Sequence, residues 1–237
     1  MGMVRNFICL FIGVYAGISA VIIQIDSLAQ AEAEFSQLGG DSLVLFDVDD
    51  TLITPSDAVL RSCGYQLRVR LTKKYLDNPQ PPLYRKYPNG FLSSLVMLQS
   101  KPILVERESI PIIKKLQRRG VCTLAITACS TGKFAAIESL TDWRIGQVKA
   151  LGIDFSSALP QYPVLDFFQA EREGGKPLFK SGILFSSLYP KGEVLKQFLD
   201  TIGWIPGKVV LVDDRQDFLQ SVANAMEEKG IPFTGFY

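Results

Sequence analysis

Three short apolar runs punctuate this chain, and each stops abruptly at polar residues. Leu43-Val44-Leu45-Phe46 ends at Asp47, Val121 to Ile126 ends at Thr127, and Val209-Val210-Leu211-Val212 ends at Asp213-Asp214. Short runs without polar alternation are the mark of strands buried on both faces, as in a parallel sheet covered by helices. Between them the pattern turns helical. Residues 56–77 have helical character until the Pro-rich stretch Asn78 to Pro88, where a regular helix stops, and a second helical segment follows over 91–98. Ser109-Ile110-Pro111 opens an amphipathic helix that closes at Gly120, with Lys114, Lys115, Arg118 and Arg119 at the end that suits the helix dipole. Further helices are predicted over 132–140, 193–202 and from Asp214 to Glu228, with a last short strand over 231–236. The segments Val164–Phe168 and Leu178–Phe185, flanking Gly174-Gly175, predict a β-hairpin. Strands alternating with helices predict an α/β fold, a doubly wound, Rossmann-like parallel sheet whose ligands bind beyond the carboxyl ends of the strands.

Ahead of this pattern, Phe7 to Ile25 is almost unbroken in apolar residues, preceded by Arg5 and followed by Asp26 and Ala29-Gln30-Ala31. A positive start, an apolar core and a small-x-small site follow the order of a secretory signal peptide. That order predicts residues 1–31 as a leader cut after Ala31, and an exported protein, periplasmic or secreted, whose mature domain is 32–237. The run exceeds the ~7–15 residues of a usual signal core and approaches the ~20 that span a bilayer. An uncleaved anchor over residues 7–25 therefore stays open, and only then would the protein meet a membrane.

Composition narrows the chemistry. There is no histidine, which removes Ser-His-Asp catalysis, histidine-ligated zinc and histidine-nucleophile phosphatases together. Lys and Arg number 25 against 24 Asp and Glu, so no basic field exists to collect nucleic-acid phosphates, and nucleic acid is not expected as a partner. Cys9, Cys63, Cys122 and Cys129 form no CxxC pair, which leaves them as small apolar residues rather than a zinc or redox site.

In a parallel sheet the ends at Asp47, Thr127 and Asp213-Asp214 share one edge, so with Asp49 four carboxylates converge. Like charges at close range oppose joint ionisation, and such a cluster calls for a hard divalent cation with oxygen ligands, Mg²⁺ above all. Lys191 adds one positive charge.

Asp47-Val48-Asp49-Asp50-Thr51 after an apolar strand resembles the DxDxT first motif of the haloacid-dehalogenase-like superfamily. Thr127 after Thr123-Leu124-Ala125-Ile126 is similar to its second motif, Lys191 in Tyr189-Pro190-Lys191-Gly192 to its third, and Asp213-Asp214 to its fourth. The resemblance implies a Mg²⁺-dependent phosphatase. Asp47 would be the nucleophile that becomes an aspartyl phosphate and Asp49 the acid/base. Thr127 and the Ala128 N–H would hold phosphoryl oxygens, and Lys191 would balance charge on nucleophile and phosphate. Asp47, the Asp49 backbone carbonyl and Asp214, with Asp213, would hold the metal. An Asp two residues after the nucleophile is the family's phosphatase signature. The stretch between first and second motifs, about 56–105, would be a small helical cap that selects a phosphorylated small molecule or phosphoprotein, and Tyr75, Tyr84 and Tyr87 could line it. This insert and the Gly-Phe-Tyr ending also resemble a family of uncharacterised haloacid-dehalogenase-like proteins from intracellular bacteria.

Blander alternatives stand beside these. A strand-end Asp is often only a turn residue, Asp217 could cap the following helix, and Lys191 could be solvated, with Lys176 and Lys180 nearby in sequence. A non-catalytic phosphate- or protein-binding module of the same fold is the competing function.

Overall fold

The structure, a computed structural model, describes residues 20–75, 90–169 and 175–237. Most of the run Phe7 to Ile25, Tyr84, Tyr87 and the side chain of Tyr75 lie outside the described residues. In chain order the elements are β1 (Ala20–Ile23), α1 (Glu32–Gln37), β2 (Ser42–Phe46), β3 (Ile53–Pro55), α2 (Tyr65–Tyr75), α3 (Phe91–Gln99), β4 (Pro102–Leu104) and α4 (Ser109–Arg118). They continue as β5 (Cys122–Thr127), α5 (Leu140–Ala150), β6 (Val164–Leu165), β7 (Leu178–Lys180), β8 (Ile183–Phe185), α6 (Lys191–Ile202), β9 (Lys208–Val212), α7 (Gln216–Glu228) and β10 (Phe233–Phe236).

Eight strands form one sheet in the order β1-β10-β9-β2-β5-β8-β7-β6. Neighbours from β1 through β8 are parallel, while β7 and β6 add an antiparallel edge. The central runs are unalternating because both faces are covered. Val44 and Phe46 of β2 pack with Leu28, Phe35, Ile113, Leu116 and Ile145 on one side. Leu43 and Leu45 pack with Val194, Phe198, Leu219 and Val222 on the other. Each such side chain contributes about 1.5–3 kcal/mol over its exposed state. Phe46 is in register with Val212 on one side and Ala125 on the other, so β2 and β9 end level, β5 runs two residues further to Thr127, and Asp47, Asp213 and Thr127 stand along one edge.

The insert leaves and returns through a small antiparallel stem, with Ile53 paired to Leu104 and Pro55 to Pro102. It carries α2, α3 and two 3-10 turns at Ala58–Leu60 and Ser62–Gly64. The helix expected over 56–77 thus starts only at Tyr65. Among the described residues no helix is long and apolar enough to cross a membrane.

Other expectations need correction. Leu178–Phe185 is itself a hairpin, turning at Ser181-Gly182, both with positive φ, and Val164–Leu165 pairs with its first strand. A side chain at Gly182 would come within 2.1 Å of the Phe155 carbonyl oxygen, so this turn needs glycine. The helix expected over 132–140 is irregular chain, and α5 begins where that helix was to end, capped by Ser139 Oγ accepting from Asp142 N at 3.1 Å. Residues 20–31, read above as part of a removable leader, are packed into the domain. Ala20 pairs with Phe233, Leu28 and Ala31 are buried, and the Leu28 N–H donates to Glu106 Oε2 at 3.1 Å. A cut after Ala31 would strip away an edge strand and core side chains together.

Candidate active site

The end of β2 is anchored by Asp47 N–H donating to the Val212 carbonyl at 2.8 Å, and Asp213 N–H donates to Phe236 at 3.0 Å. Past Asp47 the chain coils tightly, with the N–H groups of Leu52 and Ile53 both donating to the Val48 carbonyl, at 3.1 and 3.0 Å. Asp50 has a φ of 60°, a left-handed conformation that Asp tolerates better than most residues. Its carboxylate accepts from Thr54 Oγ1 at 2.6 Å and from Ser62, which ties the turn to the insert.

Lys191 is the first residue of α6, a helix end that electrostatically disfavours a cation. Two carboxylates reverse that. Its ammonium donates to Asp47 Oδ1 at 2.5 Å and Asp213 Oδ2 at 2.6 Å, and lies 4.5 Å from the Phe218 ring centroid. Gly192 lets α6 approach α7 closely enough for this, since a Cβ there would sit 2.0 Å from the Ser221 carbonyl oxygen. Lys176 and Lys180 are engaged elsewhere, with Asp166 and Asp142.

Asp47, Asp213 and Lys191 are all buried, so their charges depend on one another. Burial drives the Asp47 carboxyl up to about 7, against the pull of Lys191 and aided by the negative charges of Asp213 and Asp49. Asp213 is raised by burial despite Lys191, and Asp214 is raised by burial with Asp213 and Asp50 adding to it. Burial alone would lower the Lys191 ammonium, but Asp47 and Asp213 outweigh it and hold the ammonium above its ordinary value.

Carboxylate oxygens of Asp47, Asp213 and Asp214 lie within 4.8 Å of one another. Three raised carboxylates around one ammonium leave excess negative charge, and an all-oxygen donor set fits a hard divalent ion. The two adjacent Asp residues differ. Asp213 has both oxygens engaged, Oδ2 by Lys191 and Oδ1 by the Arg215 N–H at 2.9 Å. Asp214 accepts one long contact from Thr51 Oγ1 at 3.4 Å, while its own N–H donates to that hydroxyl at 3.1 Å. Asp217 is exposed and paired with Arg215 at 2.6 Å, in the first turn of α7.

Asp49 is held apart from this cluster. Its Oδ1 meets Arg144 Nη2 at 2.6 Å, and its Oδ2 accepts from Thr127 Oγ1 at 3.2 Å. The Thr127 hydroxyl also accepts from the Cys129 N–H at 3.1 Å, which fixes the turn through Ala128. Arg144 lies over the neighbouring Trp143 ring at 4.7 Å and donates Nη1 to Gln147 Oε1 at 2.7 Å. Its Nε is buried without a hydrogen-bond partner among the described residues. Neither Arg144 nor the Thr51–Asp214 link has a sequence signal of its own, because a lone Arg on a helix looks the same whether it faces a catalytic edge or water. Cys63, Cys122 and Cys129 are free thiols; Cys63 is exposed rather than packed, and burial pushes the Cys122 thiol up to about 12.

Asp49, Arg144 and Trp143 also form part of the wall of a cleft of about 860 Å³ that is otherwise lined mainly by the insert and its stem.

Comparison with known proteins places relatives around this arrangement. An uncharacterized protein of Rickettsia prowazekii is 26% identical over 97% of this chain and 81% of its own length. A Chlamydia pneumoniae protein named "Putative outer membrane protein" is 23% identical over 81% of this chain and 67% of its own length. A solved structure of a HAD-superfamily hydrolase, subfamily IA, variant 1, from Geobacter sulfurreducens is similar with a TM-score of 0.42 and 16% identity, over 82% of this chain and 86% of that one. The model of the family described as "Protein of unknown function (DUF2608)" matches residues 24–237.

Proposed function

The chain belongs to the DUF2608 family, and from that premise we propose that it is a Mg²⁺-dependent phosphomonoester hydrolase working through an aspartyl-phosphate intermediate. The observation that carries the reading is the buried bridge Asp47–Lys191–Asp213, with Asp214 beside it. A binding module has no need to hold a carboxylate in a pocket that resists its ionisation, whereas a nucleophile gains from being fixed and desolvated.

Lys191 clamps Asp47 Oδ1 and so fixes the rotation of the carboxylate. Asp47 attacks phosphorus, the ester P–O bond breaks, and the leaving oxygen takes a proton from the Asp49 carboxyl. Asp49 then takes a proton from water, the hydroxide formed attacks the same phosphorus, and the Asp47–phosphorus bond breaks to release inorganic phosphate. Thr127 and the Ala128 N–H receive phosphoryl oxygens, which requires the Thr127 hydroxyl to turn from Asp49. Asp47 and Asp214, with the Asp49 backbone carbonyl, would hold Mg²⁺, and Asp213 serves Lys191. The metal supplies charge neutralisation for the attack of one anion on another.

Export to the cell envelope is part of the reading, supported by the signal-like N-terminus and by the names of chlamydial relatives. The test is Mg²⁺-dependent release of phosphate from an aryl phosphate by the full chain. Activity lost in Asp47→Asn, with phosphate trapped on the wild-type protein, is the expected result. Inert protein that still binds phosphate would instead favour the non-catalytic module.

A further inference from the structure

The cleft beside Asp49 has about 860 Å³ of space, within the ~300–1,000 Å³ common for small-molecule sites and far more than a phosphoryl group fills. Its walls include Ile53, Leu60, Val69, Val96, Met97 and Trp143. Several of its polar side chains are already engaged within the protein. Arg68 Nη1 donates to the Leu60 carbonyl at 2.8 Å, and Thr54 Oγ1 donates to Asp50 at 2.6 Å. Arg144 is paired with Asp49, and Gln147 Oε1 accepts from Arg144 at 2.7 Å. A sugar or nucleoside would have to compete with these part-buried bonds, or reach Thr72, Lys73, Ser93 and Ser100, which also line the cleft, to satisfy its hydroxyls. An apolar ligand needs no such exchange. The same wall leaves Leu71 40% and Val96 48% exposed, apolar surface that a ligand would cover.

Resting on the phosphatase reading above, we propose that the alcohol esterified to phosphate in the substrate is large and mostly apolar, seated in the cleft between the insert and α5. The phosphoryl group meets Asp47 while the carbon skeleton lies on Ile53, Val69, Val96, Met97 and Trp143, and Asp49, itself part of the cleft wall, protonates the oxygen between the two.

The experiment is a calorimetric titration of the full chain, in MgCl₂, with non-hydrolysable alkylphosphonates from ethyl to octyl, alongside phosphate release from the matching alkyl phosphates. Affinity should tighten with each added methylene, approaching about fourfold per group at full burial. Val96→Glu should weaken octylphosphonate far more than ethylphosphonate. Affinity independent of chain length, or tighter binding of a sugar phosphate than of octylphosphonate, overturns the assignment even if the protein is an active phosphatase. Chain-length-dependent binding with no hydrolysis of any ester upholds the cleft assignment and sinks the catalytic reading instead.

Discussion

Arg144 Nη2 stands 2.6 Å from Asp49 Oδ1, so the residue read as the acid/base is gripped by a cation that belongs to the wall of the cleft. Arg144 therefore sets the orientation of the Asp49 carboxylate at the wall of the cleft. Arg144→Met should lower kcat by about 10- to 100-fold, the size expected for disturbing general acid/base catalysis. The loss should be larger for alkyl phosphates than for p-nitrophenyl phosphate, whose leaving oxygen needs little protonation. Equal losses on both esters would make Arg144 a structural residue only.

The division of labour at Asp213-Asp214 predicts unequal responses to metal. Asp214→Ala should raise the Mg²⁺ concentration for half-maximal activity by roughly 10-fold or more, since it removes a carboxylate proposed to hold the ion. Asp217→Ala, at an exposed pair with Arg215, should change it little. Asp213→Asn should impair turnover more than metal affinity, because it loosens Lys191. A magnesium titration of the three variants checks the ordering.

Asp47 couples stability to pH in an unusual direction. With its carboxyl raised to about 7, the folded protein binds a proton there that the unfolded chain has released above its ordinary value near 3.8. In chelator, this group's contribution to stability is present at low pH and is lost as pH rises from about 4 to about 7. Asp47→Asn removes that loss, so above pH 7 the variant should be more stable than wild type by roughly 4 kcal/mol at most. Urea denaturation at several pH values reads the difference, which should vanish toward pH 4. A gap independent of pH would contradict the burial argument.

Because β1 extends the sheet and Leu28 and Ala31 are buried, a chain beginning at Glu32 should be at least ~2 kcal/mol less stable than one beginning at Ala20. The exported form should accordingly start at or before Ala20. Urea midpoints of the two truncations and N-terminal sequencing of exported protein test both statements, and a stable, exported chain starting at Glu32 would refute them.

The sheet was legible in the sequence because its strands are buried on both faces, which leaves runs at Leu43–Phe46, Val121–Ile126 and Val209–Val212 broken only by the buried Thr123. Asp47, Thr127 and Asp213 were legible as what stands at their ends, Lys191 only through the family resemblance, and the four do come together. What the pattern hid had a physical reason each time. Ala20–Ile23 is an edge strand inside a longer apolar run, so periodicity gave it no boundary. Leu178–Phe185 is one apolar stretch whose reversal rests on Ser181-Gly182 alone. Arg144 is paired with Asp49 across the fold, and only the placement of α5 beside Asp49 reveals it.

In the sheet, β10 lies between β9 and β1, so Ala20 waits for Phe233 and Ile23 for Phe236. The Ile25 N–H donates to the Tyr237 carbonyl at 3.0 Å, and the Tyr237 N–H donates to Ile23 at 2.9 Å. Among the described strands β1 comes first in the chain and its one partner, β10, comes last, a pairing of high sequence separation that is costly in loop entropy. Residues 233–237 thus act as a clasp on β1, and the edge of the sheet closes only when the two distant segments meet.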